Sequence, residues 1–107
     1  MNETEKLFLR ELAKRTERVE RERPSLLVSA AIRRQRKYGP DFSRRDWFGP
    51  SDENRRQRIT RAMQSLIAKK LITTRVAGQR RTSNIRITDA GRLAVSQLNE
   101  KSNAENH

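Results

Sequence analysis

At 107 residues, a third of them hydrophobic and 36% charged, the chain can bury one modest core and no more. It has no cysteine, which excludes disulfides and thiolate metal sites, and no apolar run near the ~20 residues that span a bilayer. The net charge of +12 is segregated: residues 1–23 carry seven Lys/Arg against six Asp/Glu, whereas residues 33–86 carry sixteen against four. Solubility alone does not require such segregation, and a localised positive field attracts phosphate backbones.

In chain order, residues 2–22 hold no Gly or Pro and place Phe8, Leu12, Arg15 and Val19 on one helical stripe that Leu7, Leu9 and Ala13 widen. Glu11 with Arg15, and Glu17 with Arg21, are i,i+4 ion pairs of favourable orientation. With so little apolar surface, this helix is expected to pack on the rest of the domain or on a second copy, as a dimerisation arm over 1–23. Pro24 then punctuates, and Ser25 caps a helix through Leu26, Leu27, Val28, Ala30, Ala31 and Ile32 to about Lys37. This most apolar segment is expected to be the central core helix, stopped by Gly39 and Pro40.

Ser43-Arg44-Arg45-Asp46 has the spacing of a capping box, and Phe42 with Trp47 that of a hydrophobic staple. A short helix therefore starts at Ser43 and ends before Gly49-Pro50, held by Phe42, Trp47 and Phe48 in the core. Ser51 or Asp52 caps a long helix over about 52–69. Its apolar stripe is Ile59, Met63, Leu66, Ile67 and Lys70, with Ala62 beside it, and its other side carries Arg55, Arg58, Thr60, Arg61, Gln64 and Ser65. Leu71 to Val76 is β-prone with Ile72, Thr74 and Val76 on one face. Gly78 opens a turn with Arg80 and Arg81, and Ile85 and Ile87 alternate with Arg86 in the returning strand. Thr88 caps a last helix from Asp89 to about Lys101, with Leu93, Ala94 and Leu98 inward, and 102–107 is expected to be a disordered tail.

A capped short helix, a tight turn, an amphipathic basic helix and a basic hairpin make a winged helix-turn-helix: mainly α, with a small β-hairpin, flanked by N- and C-terminal helices. The residues that carry a resemblance are Gln57 to Met63, Leu66, Lys69-Lys70-Leu71-Ile72, Arg75, Arg81 and Ile87-Thr88-Asp89-Ala90-Gly91-Arg92. Over about residues 25–98 the chain resembles winged helix-turn-helix transcriptional regulators, nearest the MarR and PadR types. Lys70 departs from the pattern by standing where those families usually have glycine. The resemblance implies a DNA-binding domain over 24–101 and a homodimer formed through the N- and C-terminal helices. The short chain leaves little room for an effector pocket.

The expectation is a sequence-specific double-stranded DNA-binding protein that regulates transcription. The helix at about 52–69 would enter the major groove, and the wing at about 77–84 would touch the backbone or minor groove. Arg44, Arg45, Arg80, Arg81 and Lys69 are placed for phosphates. Arg55, Arg56, Gln57, Arg58, Thr60, Arg61 and Gln64 are candidates for base edges or nearby phosphates, because Arg forks match guanine and Gln can pair with adenine. Two rival classes share these features: an RNA-binding, ribosome- or translation-associated winged helix, and a winged-helix protein-interaction adaptor. An enzyme is not expected, since the single His is the last residue and no phosphate loop or paired acidic cluster is present. No cofactor, metal or membrane contact is expected. The absence of a signal-peptide pattern points to the cytoplasm, or to the nucleoid if the source is prokaryotic.

Overall fold

The first helix, α1 (Glu3–Arg21), opens on a capping box that the sequence reading overlooked. The Asn2 side chain accepts from the Glu5 backbone N–H at 2.8 Å, and the Glu5 carboxylate accepts from the Asn2 N–H at 3.2 Å, so two donors of the first turn are satisfied reciprocally. The computed structural model describes residues 1–21, 30–77 and 81–105. After α1 come α2 (Ala30–Tyr38), α3 (Arg44–Phe48), α4 (Glu53–Ala68), β1 (Ile72–Ala77), β2 (Arg81–Ile87) and α5 (Asp89–Glu105). The chain is mainly helical with one two-stranded antiparallel hairpin. No helix among the described residues is long and apolar enough to cross a membrane.

Among the described residues, the centre of the core is α1. Phe8, Leu9 and Leu12 are completely buried, and they join Trp47, Ile59, Leu66, Ile72, Ile85 and Ile87 in one cluster. The Phe8 ring lies 5.9, 5.9 and 5.4 Å from those of Phe42, Trp47 and Phe48, so the staple of α3 closes onto α1. Arg15 lies over the Trp47 ring at 5.1 Å and donates to the Asp46 carbonyl. Thus Phe8 and Leu12 are buried within the chain itself, the first of the two packings expected for this helix. The helix expected to be central, α2, has no fully buried residue among those described. Its expected cap Ser25 and Leu26 to Val28 lie outside the described residues.

Tertiary contacts also decide the hairpin. Ile72 pairs with Ile87 and Thr74 with Ile85, which puts the isoleucines on the core face and Thr73 and Arg86 on the other. The register shifts between Arg75 and Val76, where Ser83 is the extra residue. Beyond that bulge the hairpin leaves the core, so Val76 is exposed although it shares a face with Ile72 and Thr74. Along the other edge of β2, Phe42 N–H donates to the Ser83 carbonyl and Ile85 N–H to the Pro40 carbonyl. Asn84 is completely buried there, its amide donating to the Gly39 carbonyl and the Asp41 carboxylate and accepting from Ser83 Oγ. Gly39 has φ +97°, and a Cβ on it would lie 2.0 Å from the Ile85 carbonyl oxygen, so glycine alone allows this approach.

The corner around Thr88 ties α4, the hairpin and α5 together. Thr88 Oγ1 donates to the Lys70 carbonyl and accepts from Gly91 N–H, while Thr88 N–H donates to the Leu71 carbonyl. A Cβ on Gly91 would lie 2.2 Å from that Leu71 oxygen, which explains the glycine in the first turn of α5. The helix continues to Glu105 instead of ending near Lys101, so 102–105 is helical rather than tail. Ala94 and Val95 pack on the core, but Leu93 is 60% exposed and not inward as expected.

Candidate nucleic-acid interface

The Asp52 carboxylate accepts from Arg55 N–H at 2.8 Å and fixes the start of α4. Ser43 Oγ accepts from Asp46 N–H at 3.4 Å and marks the start of α3. Ile59, Ala62 and Leu66 bury the inner stripe of α4, with Met63 half-buried; Ile67, expected in that stripe, is 40% exposed. Because three residues of one helix are locked inward, the direction of every other side chain on α4 follows from the 3.6-residue period.

A groove of about 1210 Å³ opens between α3 and the start of α4 on one side and the start of β2 on the other. Its floor includes Phe42, Ile59 and Met63, and its walls carry Arg34, Arg44, Arg45, Arg56, Thr60, Arg81, Thr82 and Ser83. The carboxylate in it, Asp41, is engaged by Arg34 through Nη2 to Oδ2 at 3.1 Å and by Asn84 at 2.8 Å. Five arginines thus face one already partnered acid. A shallower depression continues over the outward face of α4, lined by Arg44, Glu53, Arg56, Gln57, Thr60, Arg61 and Gln64. Arg44 belongs to both and its Nη1 lies 3.4 Å from Thr60 Oγ1, so the two surfaces are continuous.

The residues expected from sequence therefore divide. Arg44, Arg45, Arg56, Thr60 and Arg81 come together around the groove, and Gln57, Arg61 and Gln64 adjoin it. Arg55 and Arg58 line neither surface. They are one residue off the groove-facing positions, and a helix turns ~100° per residue, which directs them to the far flank. Arg80 lies outside the described residues. Lys69 is not part of the groove either: its ammonium is held 3.0 Å from the buried Glu5 carboxylate.

The Glu5 carboxyl is held below the usual glutamate range. A hydrogen bond from Ser65 is the largest influence and lowers its pKa, burial opposes this, and the Lys69 ammonium and Asn2 N–H lower it further. Sequence reasoning also missed Arg34 and Asn84. The run Arg33-Arg34 gives no sign of which residue Asp41 selects, and Asn84 looked like part of a solvated wing until Pro40–Phe42 folded against it. Among the described residues no group of three or more His, Cys, Asp or Glu could hold a metal ion. No family model matches the chain, nor does any curated protein or solved structure.

Proposed function

We propose that this protein binds double-stranded DNA sequence-specifically as a transcriptional regulator of winged helix-turn-helix architecture. The carrying observation is the groove in which Arg34, Arg44, Arg45, Arg56 and Arg81 surround one partnered acid, continuous with Gln57, Arg61 and Gln64 on the outward face of α4. The major groove, about 12 Å wide, admits a helix, and α4 offers it an arginine- and glutamine-bearing face of several turns. Arg61, Gln57 and Gln64 are the base-edge readers; Arg44, Arg45 and Arg81 straddle them from α3 and β2 and hold phosphates.

The aromatic residues favour a duplex over a single strand. Phe8, Phe42, Trp47 and Phe48 pack on one another, and the Tyr38 ring is engaged by Arg75 at 4.0 Å and Lys37 at 5.2 Å. No ring is left to stack on unpaired bases, as single-strand binders require.

Anisotropy titration of a labelled duplex against salt tests the reading. Engagement of about five phosphates gives a log–log slope of −4 to −5. The variant Arg44→Ala/Arg56→Ala lowers that slope by about 2, whereas Arg58→Ala leaves it nearly unchanged. A salt-independent affinity, no duplex binding, or stronger competition by structured RNA overturns the proposal.

A further inference from the structure

Residues 30–40 and 71–88 contain no Asp or Glu, although they carry seven Lys/Arg among the described residues. Arg34 and Arg81 face the groove; Lys37, Arg75 and Arg86 do not line it. The register puts Arg75 and Arg86 on the sheet face opposite Ile72, Ile85 and Ile87, since Thr73 pairs with Arg86 and Arg75 with Asn84. They are diagonal neighbours, and such pairs have Cα atoms about 7–8 Å apart.

Both side chains are held in place. The Arg75 guanidinium lies 4.0 Å over the Tyr38 ring. A guanidinium that contacts a ring through its face keeps its N–H donors around the edge, available to an anion. Arg86 donates through Nη1 at 3.3 Å to the Lys37 carbonyl at the end of α2, which leaves its other nitrogens to bond elsewhere. Lys37 completes the group, its ammonium 5.2 Å from the centroid of the Tyr38 ring. The ordering cost of the arginines is thus met within the fold rather than on binding.

We infer that Arg75, Arg86 and Lys37 form a second polyanion site, on the back of the hairpin, that holds the phosphate backbone of a second duplex while the groove holds the first. This inference rests on the duplex reading above. Because Tyr38 already carries the Arg75 guanidinium at 4.0 Å and the group offers no base-reading amide, the back site recognises phosphate without regard to sequence. One chain would then bring two DNA segments together without needing a second copy.

The test is a two-duplex capture with the full chain: one duplex is immobilised, and a fluorescent duplex of unrelated sequence is offered after the protein has bound. Wild type is expected to capture it at low salt and release it at high salt. Arg75→Gln/Arg86→Gln should cut capture by about tenfold, as expected for lost hydrogen bonds to a charged group, and change affinity for the immobilised duplex by less than about threefold. Lys37→Glu, on an exposed side chain, keeps both arginines and should also lower capture, which guards against misfolding of the double variant. Undiminished capture by both variants would assign bridging to self-association and overturn the inference. Wild-type protein that binds the first duplex but captures no second also overturns it, with the duplex reading intact. Failure to bind the first duplex overturns both.

Discussion

Lys70 adopts φ 62°, a left-handed conformation, at the end of α4. Its N–H donates to the Ile67 carbonyl and that of Leu71 to the Leu66 carbonyl, the paired bonds of a Schellman turn. A turn that usually takes glycine is therefore made here by lysine, at about 1–2 kcal/mol of steric cost. Glycine would remove that cost but add unfolded-state freedom worth roughly 0.5–1 kcal/mol. The first term is larger, and the Lys70 side chain is exposed while its carbonyl bond to Thr88 belongs to the backbone. Lys70→Gly should accordingly stabilise by about 0.5–1 kcal/mol, read as a rise in urea midpoint. An unchanged or lower midpoint would count against it. The place of this turn was legible from the sequence, because Leu66, Lys70 and Ile72 keep the spacing of a helix stop and strand start. The partners of Arg34 and Asn84 were not: a hydrogen bond from Asn84 to Gly39 joins residues 45 apart, and no local pattern encodes it.

At the scale of elements, the reading was best where local chemistry decides. The cap at Asp52, the ion pairs Glu11–Arg15 and Glu17–Arg21, and the alternation of Ile85 and Ile87 with Arg86 are all present, because each depends on neighbours a few residues apart. It said least about which residues α1 would bury. The segment before Ile32 looked more apolar than α1, yet α1 has Phe8, Leu9 and Leu12 on one face and meets α4, α5 and β2. The contact between α1 and the end of α4 also carries a pH dependence. Ser65 on α4, Lys69 just after it and Asn2 before α1 hold Glu5 in its charged form, with a pKa below the usual glutamate value. A depressed folded-state pKa adds stability that is present above the unfolded value, about 4.3, and is lost as pH falls through the folded one. Urea midpoints of the wild type and Glu5→Gln, measured from pH 7 down to about pH 3, should therefore converge in acid. Parallel curves would show that the Glu5 charge contributes nothing.

For the whole molecule, the balance of charge and core is the governing fact. A chain this basic gains solubility and polyanion affinity but opposes its own compaction by self-repulsion, so its small core has little to spare. The near-neutral N-terminal part looked separable because its charge differs from the rest, but charge marks the surface and not the packing. Phe8, Leu9 and Leu12 lie against Trp47, Ile59, Leu66, Ile72, Ile85 and Ile87, and cluster membership shows no division near residue 23. Truncating a buried Phe or Leu to Ala costs about 2–5 kcal/mol each, and the total stability of a domain is about 5–15 kcal/mol. Losing all three side chains, the capping box and the Glu5–Lys69 contact together exceeds what remains. A chain lacking residues 1–23 should thus show no cooperative urea transition, and Trp47 fluorescence should report a solvent-exposed indole. If α1 instead served only to join two copies, the truncated chain would unfold cooperatively with buried-Trp47 emission, and only its sedimentation would change. The geometry at Phe8, in contact with three aromatic rings of its own chain, favours the first outcome.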